Sequence, residues 1–218
     1  MSWRLSVWDQ DTGSMEEFPL RVQGILTAET LPPVTRNNSS DMKRFRPYMR
    51  QGVTITGIGS QTFEKCYENI QHIFVAFSNI FPEGTLEEWH GTMFGASQAF
   101  ETGARYFSRV TATMDRTMSI PFGDLVDPEG ILERLVDDTY IHGPDNHVDY
   151  IWRIVTKEGA IQYKQISPSN IRIGDIVELS ISFVVFRARD KRYKMMPILK
   201  GILLLDNKMR TASLIHVQ

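Results

Sequence analysis

The stretch that decides the fold runs from Ile166 to Asp206 and reads ISPSNIRIGDIVELSISFVVFRARDKRYKMMPILKGILLLD. From residue 177 to residue 183, apolar residues alternate with polar ones, which is the period-two pattern of a β-strand, and residues 184–186 make its end apolar on both faces. A polar, basic segment at 189–192 separates this run from a second apolar run at 193–205. The pattern predicts an antiparallel hairpin.

Two residues interrupt the second strand of this hairpin. Pro197 cannot donate a backbone hydrogen bond, and Gly201 weakens a strand interior. We therefore expect the strand to be bulged, bent or at a sheet edge near these positions.

A second hairpin is predicted just before the first. Residues 147–156 alternate, residues 157–160 form a turn, and residues 161–166 return. The C-terminal part therefore indicates an antiparallel meander. A β-barrel of the oligonucleotide-binding type is the alternative form of this sheet, because GDIVE at 174–178, entering a long strand, is similar to strand starts in such barrels.

The predicted fold class is α+β, with two or three helices packed on this sheet. The helices are expected at 62–81, from Thr85 onward and at 96–110, with a further short helix starting at Asp127. Weak strands are expected near Trp3 and at the runs of residues 18–28 and 52–59. We expect a single domain, with an irregular or strand part at 1–60, a mainly helical part at 61–138 and an antiparallel sheet at 147–206.

Composition limits the class of protein. The 218 residues carry a net charge of −2, so bulk charge does not attract a polyanion. One cysteine, Cys66, excludes an internal disulfide and fits a reducing compartment. No signal peptide or long apolar run is present, so we expect a cytoplasmic or nuclear protein without a membrane partner.

The charges separate along the chain. Residues 115–149 contain nine acids and two bases, whereas residues 150–218 contain twelve bases and five acids. This separation indicates an anionic partner for the sheet, complementary surfaces that meet in a homo-oligomer, or pairing of the two segments within the subunit.

Basic residues next to aromatic ones indicate a nucleic-acid interface, since cations contact phosphates while rings stack on bases. Two segments have this composition. The candidate residues are Arg187, Arg189, Lys191, Arg192, Lys194, Phe186 and Tyr193 in the hairpin, and Lys43, Arg44 and Arg46 in the earlier segment. The leading hypothesis is a non-enzymatic protein that binds single-stranded nucleic acid and needs no cofactor.

Two other functions stay open. A self-assembling structural or interaction protein would use the aromatic faces and complementary charges to form a homo-oligomer. A metal-dependent enzyme would use His142, Asp145 and His147, since imidazole and carboxylate ligands bind divalent metals.

The segments HGPDNHVDY at 142–150 and RIGDIVE at 172–178 resemble a family of predicted proteins that is numerous in mushroom-forming fungi. The resemblance continues through SFVV at 182–185, YKM at 193–195 and LLLD at 203–206, and it covers roughly residues 127–207. It implies a fungal origin and carries no activity with it.

Overall fold

The computed structural model describes residues 2–35, 39–111, 118–188 and 190–208 of the chain. The strands are β1 (Ser2–Arg4), β2 (Ser6–Asp9), β3 (Ser14–Glu17), β4 (Leu20–Thr30), β5 (Arg50–Thr56), β6 (Leu86–Glu87), β7 (Thr92–Phe94), β8 (Ser97–Arg105), β9 (Ser108–Arg109), β10 (Tyr140–Ile141), β11 (Asp149–Val155), β12 (Ile161–Gln165), β13 (Ile176–Arg187) and β14 (Tyr193–Asp206). The α-helices are α1 (Ser39–Phe45) and α2 (Gln61–Ser78). The fold is α+β and mainly antiparallel, as predicted.

Five strands close into a ring. β13 pairs with β4, β4 with β5, β5 with β8, β8 with β14, and β14 with β13. All of these pairings are antiparallel except the one between β8 and β14. The ring encloses the core, so its connecting loops and outward-facing side chains form the surface on which a ligand can bind.

Every second side chain of a ring strand points into this core. On β5, for example, Gln51, Val53 and Ile55 are buried, and the residues between them face outward. Helix α2 buries Phe63, Ile70 and Phe77 in the same cluster. These three positions are seven residues apart, which is two helical turns and keeps them on one face.

Both predicted C-terminal hairpins are present. β13 pairs antiparallel with β14, and β11 pairs antiparallel with β12. A parallel pairing of β11 with β14 joins the two hairpins. The register of β13 and β14 shifts between Ser180 and Ile181, leaving Lys200 unpaired beside Gly201. This irregularity lies where the sequence predicted a bulge.

The helices predicted from Thr85 and at 96–110 are wrong, since these segments form strands β6, β7 and β8. The Thr85 hydroxyl donates to the carbonyl of Pro82, while the Thr85 carbonyl accepts from the amide of Tyr193. Phe100 and Ala104 match a helical spacing of four, but they also match a period of two, and pairing with β5 selects the strand. The part at 61–138 is therefore not mainly helical.

The short helix predicted from Asp127 is reduced to a turn. The Asp127 carboxylate accepts from the amides of Ile131 and Glu133, at 2.8 Å each, so it closes a loop and does not cap a helix as predicted. Gly130 has a φ of +64°, which does not continue an α-helix, and only a single 3-10 turn follows at Glu133–Leu135.

An ion network ties the N-terminal strands to the ring. Arg4 contacts Glu17 and Asp145, at 2.7 Å each, and Lys200 contacts Glu17 at 2.9 Å. Although burial raises the pKa of Glu17, the hydrogen bond from Lys200 and the charges of Lys200 and Arg4 bring it below its usual value. The hairpin of β2 and β3 is thus fixed at its base.

In the ranges that the structure describes, no helix combines the length and the apolar character needed to cross a bilayer.

Candidate nucleic-acid interface

The connection between β13 and β14 exposes its basic residues. Arg187, Lys191, Arg192 and Lys194 are all exposed, and Arg189 lies outside the described residues. The turn is tight, with the amide of Ala188 donating to the carbonyl of Arg192 at 2.7 Å. We call residues 187–194 the basic turn.

Of the four described cations of the basic turn, Arg192 forms ion pairs and the other three do not. Arg192 contacts Asp190 at 2.6 Å and Glu87 at 3.4 Å. Within the described part of the chain, no carboxylate lies within 4 Å of Arg187, Lys191 or Lys194. The acids of the described segment 118–149 therefore form no ion pair with these three cations.

The aromatic residues in and next to the basic turn are less exposed than its cations. The ring of Tyr193 packs against Phe81, with centroids 4.4 Å apart, and against Trp3 at 5.4 Å. Phe186 is half-buried on β13. Since the Tyr193 ring already has aromatic neighbours, exposed rings for base stacking must come from another segment.

The second basic segment supplies such rings. Lys43 and Arg44 are exposed on α1, Phe45 is 56% exposed and Tyr48 is 72% exposed. We call residues 39–50 the basic loop. Large aromatic side chains are usually buried when they have only a structural role.

Arg46 is the exception in the basic loop. It is buried, donates to the carbonyl of Leu135, contacts the Asp137 carboxylate at 2.7 Å, and lies over the ring of Tyr140 at 4.3 Å. Its guanidinium hydrogen bond and charge hold the pKa of Asp137 below its usual value. Arg46 therefore stabilises the fold and is not available to a phosphate.

The basic loop and the basic turn lie at opposite ends of the outer face of β5, β8 and β14, because β5 and β14 run in opposite directions. Arg50 begins β5 directly after the helical part of the basic loop, and it pairs across the sheet with Arg105 of β8. Arg50 and Lys194 line one cleft of about 510 Å³. Arg105 had no basic neighbours in sequence, and only the strand pairing brings it to this face.

Two glycines form the centre of this face. Gly52 and Gly103 are cross-strand partners, so no side chain covers the backbone there. A Cβ atom at Gly103 would lie 2.6 Å from the carbonyl oxygen of Gln51, closer than carbon atoms of real side chains approach. The pairing of β5 with β8 thus requires glycine at 103 and leaves a shallow floor.

The same cleft contains three carboxylates. They belong to Glu87, Glu88 and Glu101. Glu87 contacts Arg192, and Glu88 lies 3.7 Å from the imidazole of His90. Arg50 lies at the start of β5 and Lys194 near the start of β14, so the face carries a cation at each of its two ends.

The three candidate metal ligands do not converge. His142 is buried, stacks on Phe122 at 3.9 Å, and its Nδ1 hydrogen-bonds to the carbonyl of Tyr106 at 2.9 Å. Asp145 contacts Arg4, and His147 is exposed and contacts Asp149 at 3.2 Å. Among the residues that the structure describes, no group of three metal-ligating side chains could hold an ion.

Comparisons with known proteins identify no family. No protein-family model matches the chain, and no curated protein matches it. Among solved structures, the chain is similar to gp2.5, a single-stranded DNA-binding protein encoded by bacteriophage T7, with a TM-score of 0.38 and 9% sequence identity over 87% of this chain and 86% of that chain. A likeness this distant does not assign a function to the chain.

Proposed function

We propose that the protein binds single-stranded nucleic acid across the outer face of β5, β8 and β14, between the basic loop and the basic turn. One observation carries the proposal: Arg50 and Lys194, the last residues of these two basic segments, line the same cleft. Two cationic segments separated by about 140 residues thus contribute to one surface.

The order of the strands supports this surface. Along the chain, the ring strands are β4, β5, β8, β13 and β14, and the basic loop connects the first two while the basic turn connects the last two. In five-stranded barrels of the oligonucleotide-binding type, the face of the second and third strands and these two connections contact the ligand. The cations and exposed rings of this chain lie in the corresponding segments.

The residues suit single strands. Lys43, Arg44, Arg50, Arg105 and Lys194 would contact phosphates, and Phe45 and Tyr48 would stack on bases. Stacking on an exposed ring requires unpaired bases, because the bases of a duplex already stack on each other. The bare floor at Gly52 and Gly103 leaves room for the strand to approach the sheet.

Salt dependence of binding tests the proposal. Five cations on this face would release about 0.7 counterions for each phosphate contacted, which gives a slope of about −3 to −4 for log Kobs against log salt concentration. We expect fluorescence anisotropy to show this slope with a labelled single strand and weaker binding of the duplex of the same sequence. Absence of binding at low salt, or equal affinity for the duplex, would contradict the proposal.

A further inference from the structure

A hairpin near the N-terminus presents large apolar side chains to solvent. Its strands, β2 and β3, form a two-stranded sheet apart from the ring. Trp8 and Met15 are direct cross-strand partners, so they lie on one face, where they are 57% and 62% exposed. Aromatic residues and methionine are enriched at protein interfaces.

This hairpin is also strongly acidic, and we call residues 6–17 the acidic hairpin. Its four charged residues are Asp9, Asp11, Glu16 and Glu17, and it contains no base. Glu17 is held at the base of the hairpin by Arg4 and Lys200. In contrast, no cation of the described ranges lies within 4 Å of Asp11 or Glu16, and both are exposed. The tip therefore combines negative charge with an apolar face.

The basic loop has the complementary character. Lys43 and Arg44 are exposed beside the exposed rings of Phe45 and Tyr48. Within a single subunit, over its described residues, no carboxylate of the acidic hairpin lies within 4 Å of Lys43 or Arg44. Opposite charges next to exposed apolar side chains are what two docking surfaces need for steering and for desolvated contact.

We propose that the acidic hairpin of one copy docks on the basic loop of a second copy. The contact joins two different surfaces, so each subunit offers one hairpin and one loop, and the association is head-to-tail. Trp8 and Met15 pack against Phe45 and Tyr48, and Asp11 in the turn lies opposite Lys43 and Arg44. Glu16, on the reverse face of the hairpin, adds to the negative charge that attracts these cations.

Docking of the hairpin competes with nucleic-acid binding, a consequence that rests on the proposed function. The basic loop cannot hold a neighbouring hairpin and a phosphate backbone at the same time, since both need its cations. Single-stranded nucleic acid therefore dissociates the assembled copies, and self-association weakens nucleic-acid binding at high protein concentration.

A charge exchange between two variants tests the docking. One variant carries Asp11→Lys and Glu16→Lys, and the other carries Lys43→Glu and Arg44→Glu. We expect sedimentation velocity to show concentration-dependent association of the unchanged protein and a monomer for each variant alone, because like charges then meet. Mixing the two variants restores association, since every hairpin again faces a loop of opposite charge.

Three results would overturn the docking: a monomeric unchanged protein at all concentrations, association of the hairpin variant equal to that of the unchanged protein, or a mixture that stays monomeric. Trp8→Ala provides a test without a charge change and should weaken association by about 30-fold or more. Thermal unfolding by circular dichroism verifies that each variant is folded.

Nucleic-acid binding separates the two proposals. The hairpin variant should keep its affinity for a labelled single strand at low protein concentration, whereas the loop variant should lose it. Suppose that the unchanged protein associates and the hairpin variant stays monomeric, but that neither the unchanged protein nor the hairpin variant binds nucleic acid. This result would support the docking and contradict the proposed function.

Discussion

Arg46 and Tyr48 are two residues apart, yet their side chains lie in different environments. Arg46 is buried against Leu135, Asp137 and Tyr140, whereas the ring of Tyr48 is largely exposed. Sequence composition places both residues in one candidate interface, because a basic residue beside an aromatic one carries no information about which of them is buried. Burial therefore decides which residues of the basic loop can contact a ligand.

Tyr48→Ala tests the stacking role. Loss of one base–aromatic stack costs about 1–3 kcal/mol of binding free energy, so affinity for single-stranded nucleic acid should fall by roughly 5- to 150-fold. Tyr163→Ala is the matched control, because Tyr163 is 65% exposed on β12, away from the proposed surface. Equal loss of affinity in titrations of both variants would exclude a specific role for Tyr48.

His142 gives a prediction for the dependence of stability on pH. Burial is the main cause that lowers the pKa of His142, with a smaller lowering effect from His147, opposed by its hydrogen bond to Tyr106 and by Glu133. Between this lowered pKa and the ordinary value, the unfolded chain binds a proton that the folded chain does not bind. The free energy of unfolding should therefore rise with pH through this window, by at most about 1.4 kcal/mol per pH unit for this group.

Urea denaturation between pH 5 and pH 7.5 measures this effect. In His142→Gln the contribution of this group to the pH dependence should disappear, while His72→Gln, at an exposed position on α2, should keep the pH dependence of the unchanged protein. An unchanged slope in His142→Gln would show that another group is responsible.

At the level of secondary-structure elements, the sequence correctly predicted the helix and the strands whose apolar side chains follow only one periodicity. The hairpin of β13 and β14 and the helix α2 were predicted within a few residues of their observed bounds. Strand β8 was predicted as a helix, because Phe100 and Ala104 fit both periods and the partner strand β5 is some 40 residues away in sequence. Pairing between distant segments decides such cases, and a local pattern does not contain it.

The candidate surface was predicted only in part, because part of it also depends on pairing between distant segments. The exposure of Lys43, Arg44 and the described basic residues of the turn agrees with their local polarity. The pairing of Arg50 with Arg105 across the sheet depends on the order of strands in the ring. The same order places Arg50 and Lys194 in one cleft. No single segment of sequence indicates that order.

Gly103→Ala tests the close pairing of β5 with β8. The added Cβ would lie 2.6 Å from a backbone oxygen, which cannot move without disturbing the strand pair. We expect the free energy of unfolding to fall by about 1–3 kcal/mol, the usual cost of overpacking. Gly123→Ala is the control, because no atom lies within 4 Å of its added Cβ. Equal stability of both variants in urea denaturation would contradict the close approach.

At the scale of the molecule, the acids of the described segment 118–149 make ion pairs mainly outside the C-terminal third. Asp137, Asp145 and Asp149 of the acidic segment contact Arg46, Arg4 and His147, respectively. Of these three acids, only Asp145 also reaches a base of the C-terminal third, Lys200 at 3.7 Å. Within the described ranges, Arg187, Lys191 and Lys194 of the basic turn are exposed and make no ion pair, which is the condition that an anionic partner requires.

The most direct measurement is the affinity for a labelled single strand of the double variant Arg50→Ala with Lys194→Ala, compared with Lys157→Ala with Lys164→Ala. Both variants remove two exposed cations, but Lys157 and Lys164 lie at the hairpin of β11 and β12, outside the cleft. The account predicts that the first variant loses affinity by at least about tenfold and flattens the salt slope by about 1.4, from two lost phosphate contacts. It also predicts that the second variant binds like the unchanged protein. Equal affinity of the two variants would contradict the cleft as the binding surface.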